Sequence, residues 1–149
     1  MPVTKEYNPK LIAIIVCGIP IDEGFAEDSM VKVVWDNPKF DDVVGVDGQV
    51  TRVRSFDGRA VMTLNLMQSS KGNDLLSVLH NRDLAAPGGA GVGATLVQDL
   101  NGTTLINSAS SWVKGPPETE FGKKPGPRAW EIRLANARYH IGGAVVIGG

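Results

Sequence analysis

Cys17, His80 and His140 are the only cysteine and the only histidines of the sequence, and they set the first limit on its chemistry. A zinc site needs four thiolate, imidazole or carboxylate ligands at short, characteristic spacings. These three residues stand far apart with no such pattern, so no metal site is expected. The pairs Asp22/Glu23, Asp41/Asp42 and Glu118/Glu120 have the residue types of an acid–base couple for glycoside hydrolysis, which requires a fixed carboxyl separation and one raised pKa. All three fall in loop-like stretches and read as solvated turn acids. Ser69, Ser70 and the group Ser108, Ser110, Ser111 read as cap and strand residues, because no Gly-x-Ser-x-Gly elbow occurs. Gly89-Ala90-Gly91-Val92-Gly93-Ala94 has the spacing of a dinucleotide fingerprint. That motif follows a strand and opens a helix facing pyrophosphate; here it follows a helical pattern and opens an extended one. Asn101-Gly102-Thr103 is a formal glycosylation sequon that a cytoplasmic protein uses only as a turn. The expectation is a protein that is not an enzyme, with no catalytic residues, no cofactor and no metal.

The elements that would position such groups are mostly strands. A chain of 149 residues suits one domain, 1–149, with one core. Lys and Arg number 15 against 16 Asp and Glu and are interspersed, whereas a dedicated nucleic-acid binder concentrates a basic excess. Eighteen glycines and nine prolines between short apolar runs favour an all-β domain. A single cysteine excludes an internal disulfide framework and fits folding in a reducing cytoplasm. Residues 11–19 are strongly apolar but make about half a bilayer span. They also lack the basic start and cleavage site of a signal peptide. Residues 11–21 therefore read as one strand buried on both faces, and no membrane segment is expected.

Residues 49–82 form the centre of the pattern. Two extended runs meet at a turn of Phe56, Asp57, Gly58 and Arg59, which predicts a strand pair. In the second run Met62, Leu64 and Leu66 alternate with Thr63 and Asn65, the period of a half-buried strand. Ser69, Ser70, Gly72 and Asn73 then precede a helix of about two to three turns. Asp74 and Arg82 suit the dipole at its two ends, and Leu75, Leu76, Val78 and Leu79 make one apolar face. Elsewhere, 1–10 is a flexible polar arm, 22–29 an acidic turn, and 30–36 a strand with Val31, Val33 and Trp35 on one face. Residues 36–48 form an extended loop whose Phe40, Val43 and Val44 suit an interaction surface or a short extra strand folded on the domain. Residues 84–93 are a flexible connector. Asn101-Gly102 marks a hairpin between strands 94–100 and 103–108, 110–114 is another strand, and 115–127 is a proline-rich loop. Residues 128–139 form one long strand with Trp130, Ile132 and Leu134 inside, and the apolar tail should pair with the sheet or with another subunit. The sum is seven to nine strands and one flanking short helix: mainly β, an antiparallel sandwich or barrel.

In collinear order the segments YNPKLIAIIV, GFAEDS, VGVDGQVTRV, VMTLNLMQSSKGNDLLSVL, LVQDLNGTTL, SASSWVKGPPETEFG and RAWEIRLANARYHIGG resemble the tail-tube proteins of contractile-tailed bacteriophages. The resemblance spans nearly the whole chain. It implies a β-sandwich or barrel with a flanking helix, six copies of which form a ring, the rings stacking into a hollow tube inside a contractile sheath. Implied partners are the tail sheath, a baseplate or tube initiator and a tape-measure protein, and genomic DNA passes through without specific binding. The location implied is the virion tail, assembled in the host cytoplasm. Phosphate neutralisation by Lys and Arg generates DNA affinity, so an acidic or neutral inner wall is expected. Inter-ring contact is expected on Asp36, Asn37, Phe40, Asp41, Asp42, Val43 and Val44. Ring closure or arm contact is expected on Tyr7, Asn8, Ile141, Val145, Val146 and Ile147. The alternatives are a monomeric β-barrel that binds a small ligand, or the tube of a bacterial contractile injection system.

Overall fold

The computed structural model describes residues 2–144 and 146–147. In chain order these form β1 (Thr4–Lys5), a 3-10 turn (Pro9–Leu11), β2 (Ile12–Val16), β3 (Ile19–Ile21), β4 (Val31–Trp35), β5 (Phe40–Val44), β6 (Val50–Arg54), β7 (Ala60–Met67), α1 (Lys71–Ala85), β8 (Gly93–Asp99), β9 (Leu105–Gly115), β10 (Pro127–Leu134), β11 (Arg138–His140) and β12 (Val146–Ile147). The principal sheet is antiparallel, in the order β3-β2-β8-β9-β10-β7-β4, with β11 also paired to β9. Two ribbons stand apart from it, β1–β12 and β5–β6.

Alternation along the strands builds the core. Ala60, Met62, Leu64 and Leu66 of β7 are wholly buried, and Trp130, Ile132 and Leu134 of β10 nearly so. The register sets Trp130 against Leu64, Ile132 against Met62 and Leu134 against Ala60, so these side chains meet as directly opposed pairs on one face. Ile14 and Val16 of β2, Val97 of β8, and Ile106 and Val113 of β9 extend the same layer. Helix α1 closes it with Gly72, Leu76 and Leu79. Gly72 is the point of closest approach: a Cβ there would lie 2.8 Å from Leu66 Cδ1. Ser70 caps the helix, accepting from the Gly72 N–H at 3.1 Å while donating to the Glu23 carbonyl. Asp74 and Arg82 occupy the first and last turns as expected. The indole of Trp130 donates to Asn73 Oδ1 at 2.9 Å, which satisfies the one polar group of a buried ring.

Several expectations about individual elements change. Residues 11–21 form a hairpin instead of one strand: Cys17 (φ 50°) and Gly18 (φ 85°) both adopt positive φ, the conformation of a two-residue hairpin turn. The runs flanking Phe56–Arg59 do not pair with each other. β6 pairs with β5, and both edges of β7 are occupied by β10 and β4, while Asp57 is engaged by Arg59 and Asn37. The helix runs for 15 residues and includes Leu84 and Ala85 of the expected connector. Its buried stripe is 72, 76 and 79, which turns Leu75 and Val78 outward. The strands expected at 103–108 and 110–114 are one, β9, with a register shift against β8 between Ser108 and Ser111. The strand expected over 128–139 breaks after Leu134, where Ala135–Ala137 turn the chain onto β9 as β11. Asp41 and Asp42 lie within a strand, not a loop. The N-terminal arm and C-terminal tail pair with each other, Thr4 with Ile147 and Lys5 with Val146. Counting these short pieces, the described residues hold twelve strands instead of seven to nine.

The glycine run 88–93 has a packing explanation. Gly88 and Gly89 take positive φ, and a Cβ on Gly93 would meet the Cys17 carbonyl carbon and oxygen at 3.0 Å. Beneath it, Ser111 Oγ donates to the Gly93 carbonyl at 2.6 Å and shares a hydrogen bond with buried Thr95. The Cys17 N–H donates to Thr95 Oγ1, and burial pushes the Cys17 thiol up. Gly93→Ala must displace backbone, so it should cost roughly 1–3 kcal/mol. Leu64→Ala should cost about 2–5 kcal/mol through the cavity it leaves. Urea unfolding checks both, as a lower midpoint at unchanged slope.

Candidate assembly interface

The β5–β6 ribbon is the feature that the domain's own packing does not use. All ten of its strand residues are exposed. Its register pairs Phe40 with Arg54, Asp41 with Val53, Asp42 with Arg52, Val43 with Thr51 and Val44 with Val50. Directly paired residues share a face and neighbours alternate. One face therefore carries Phe40, Arg54, Asp42, Arg52, Val44 and Val50, and the other Asp41, Val53, Val43 and Thr51. The tip closes through the Gly45 N–H to the Gln49 carbonyl at 2.8 Å and the Gly48 N–H to the Gly45 carbonyl at 2.9 Å. Gly48 has φ 87° there, which a side chain would strain. On the first face the Arg52 guanidinium lies 4.2 Å and that of Arg54 5.2 Å from the Phe40 ring centroid. These are cation–π distances.

A charged neck joins this ribbon to the sheet. Arg133 of β10 donates to both carboxylate oxygens of Asp36 at 2.8 Å, and Arg59 also approaches Asp36. The Asp57 carboxylate accepts from Arg59 Nε and Nη2 at 2.9 Å and from Asn37 Nδ2 at 2.7 Å. Lys39 Nζ donates to the Asp57 carbonyl, and the Ser55 N–H to the Lys39 carbonyl. The Arg59 side chain, then its backbone N–H, then Asn37 hold the Asp57 carboxyl well below the usual carboxylate range, and Asp57 holds Arg59 higher in return. A depressed carboxyl stabilises the neck above its ordinary pKa of 3.8. That contribution withdraws as the pH falls below this value.

The residues expected to make contacts thus separate into groups. Asp36 and Asn37 are spent on the neck, while Phe40, Asp42 and Val44 share one ribbon face and Asp41 and Val43 the other. Tyr7 and Ile141 are exposed, and Asn8 accepts from the Lys10 N–H to start the 3-10 turn. Val146 and Ile147 pair with the arm, and Val145 lies outside the described residues. The arm and tail meet at the Asn101-Gly102 turn: Asn101 Nδ2 donates to the Glu6 carbonyl, and Gly102 bridges to Ala144.

Arg128 was not singled out by its sequence context. It is buried, donates to the carbonyls of Glu120 and Pro127 and stacks on Phe121, which pins the proline-rich loop over the sheet's end. Among the described residues no group of three or more His, Cys, Asp and Glu could hold a metal ion. His80 sits on α1 with Nδ1 buried and unpartnered, and His140 is exposed on β11. No helix of the described residues is long and apolar enough to cross a membrane.

No family model matches the sequence. The fold is similar to the tube-terminating cap of the anti-feeding prophage, solved by cryo-EM, with a TM-score of 0.59 over 94% of each chain at 6% identity. That likeness shows the fold alone. Structural protein ORF10 of Pseudomonas phage KPP10 is 32% identical over 145 residues, covering 94% of this chain and 84% of that one. At that identity over nearly its whole length, the chain belongs to the family of that phage structural protein.

Proposed function

We propose that this chain is a structural subunit of a contractile phage tail, in which six copies close a ring and rings stack into the inner tube. The observation that carries this reading is the β5–β6 ribbon. It exposes Phe40, Val43, Val44, Val50 and Val53 on a two-stranded element that is marginal without something to lie on. A kinship with a phage structural protein and a fold shared with a tube-terminating cap favour the same assembly. Ring closure is a head-to-tail contact that ends when the rotation closes, and stacking is an open one that continues. The ribbon residues Phe40, Asp41, Asp42, Val43 and Val44, held at the neck by Asp36 and Asn37, serve the stacking contact. Tyr7, Asn8, Ile141, Val145, Val146 and Ile147 serve ring closure. The sheath surrounds the tube, a baseplate initiator starts it and a tape-measure protein limits it.

The bore needs a surface that releases DNA. The outward charges of β4, β9 and β10 are Lys32, Lys114, Glu131 and Arg133. Three of the four are paired, Lys114 with Glu131 at 3.5 Å and Arg133 with Asp36 at 2.8 Å, and only Lys32 has no ion pair among the described residues. A wall built from this face is close to neutral, as an inert conduit requires.

The similarity to a tube-terminating cap favours one second reading, a ring that ends a tube instead of propagating it. A small-ligand barrel is disfavoured because Ile14, Met62, Leu64, Leu66, Leu76, Ile132 and Leu134 fill the sheet's interior. Negative-stain electron microscopy with sedimentation over a concentration series separates these readings. Hollow tubes of uniform diameter are expected. Single rings at every concentration would give the cap reading, and a monomer throughout would sink both. Replacing residues 40–54 with a short turn should leave a folded domain, by circular dichroism, that no longer stacks. Arg133→Ala should free the neck, seen as faster amide exchange in β5 and β6 with exchange in β7 unchanged.

A further inference from the structure

Resting on the stacked-ring reading, we infer that the arginine-clad face of the ribbon docks into an acidic groove at the far end of the same strand pair on a second copy. Arg52 and Arg54 both stack on Phe40, and neither makes an ion pair among the described residues. Two guanidiniums held on an aromatic platform with their donors free match carboxylates that could be met in a fork geometry. The groove offers them. It has a volume of about 410 Å³ and is lined by Ala26, Glu27, Asp28, Met67, Pro125 and Pro127, among others. Met67 is 41% exposed, so the apolar floor is open, and Glu27 and Asp28 are exposed on one wall without ion pairs among the described residues. Phe40 fits that floor, and its two arginines fall toward the acidic wall.

The topology places knob and socket at opposite ends of β4 and β7. The ribbon leaves the sheet between Trp35 and Ala60, which pair directly. At the other end the acidic turn is tied to β7 by the Met67 N–H to the Gly24 carbonyl at 2.7 Å and by the Phe25–Leu66 bridge. The eight residues of β7 separate them by about 25 Å, so a ribbon cannot reach its own chain's groove. A copy displaced along the strand direction presents its groove to the ribbon and its own ribbon to the next copy. That is an open, head-to-tail contact.

The test compares tube lengths by negative-stain microscopy, with sedimentation, for the wild type, Arg52→Glu/Arg54→Glu, Glu27→Lys/Asp28→Lys and the fourfold combination. All the substituted side chains are exposed, and circular dichroism checks the folds. Each double variant places like charges together, so mean tube length should fall by roughly tenfold or more, leaving rings. The fourfold variant restores opposite charges and should recover tubes. Phe40→Ala, which keeps every charge, should shorten tubes as well. Double variants that stack at wild-type length, or a folded fourfold variant that stays as rings, would overturn this contact and leave the tube reading standing. A wild type that forms neither rings nor tubes would overturn both.

Discussion

The pairing of β7 with β10 on one side and β4 on the other is the constraint on which the remaining architecture depends. Its eight-residue ladder brings Trp130, Ile132 and Leu134 onto Leu64, Met62 and Ala60, and the helix adds Leu76 and Leu79 above them. The ribbon and the proline-rich loop hang from the two ends of this block. At one end Arg133, next to Ile132, reaches Asp36 and fixes where the ribbon departs. At the other, Arg128, two residues before Trp130, holds the proline-rich loop through the Glu120 carbonyl. Because side chains alternate along a strand, β10 buries Trp130, Ile132 and Leu134 on one face and presents Arg133 on the other, while Arg128 shares the buried face.

The ribbon shows why that orientation matters. A two-stranded hairpin gains little from its own hydrogen bonds in water, and this one has no core of its own. The Asp36–Arg133 pair and the Asp57–Arg59–Asn37 cluster hold its neck, and the arginine–phenylalanine stack stiffens its face. Each such exposed ion pair is individually weak, but together they limit the conformations the ribbon samples before contact. Association then loses less conformational freedom. Under the proposed stacking, a protruding element that is already ordered favours the addition of each copy.

Much of the domain was legible because periodicity is a direct consequence of burial. Met62, Leu64, Leu66, Trp130, Ile132 and Leu134 could be placed inside from alternation alone, Asn101-Gly102 marked its hairpin, and Ser69 and Ser70 fell before the helix as expected, although Gly72 and Asn73, expected there too, lie inside it. What failed were features set by tertiary context. Nothing local says that β6 pairs backward with β5, since both edges of β7 are taken by the distant strands β10 and β4. Cys17 at φ 50° is an unusual first residue for a hairpin turn, so an apolar run concealed a chain reversal. The outward turn of Leu75 and Val78 follows from the contact of Gly72 with Leu66, which no single-helix pattern encodes. The exposure of Phe40, Val43 and Val44 matches the sequence reading, but their division between two faces was not legible, because that division needs the register. The arginines were invisible for the same reason: Arg52 and Arg54 matter only once they are opposite Asp42 and Phe40.

That division has a consequence for how such a subunit avoids indiscriminate sticking. A ribbon with valines on both faces and free edges invites edge-to-edge pairing. Here the apolar positions on the Phe40 face are interrupted by Asp42, Arg52 and Arg54, and on the other face by Asp41 and Thr51. Burying these charges against a random apolar surface costs more than the valines return. Only a partner that supplies both an apolar floor and matching charges makes the contact favourable, and specificity arises from the penalty imposed on every other surface. The same residues that keep the isolated chain from pairing along its ribbon edge are therefore those that would select its neighbour.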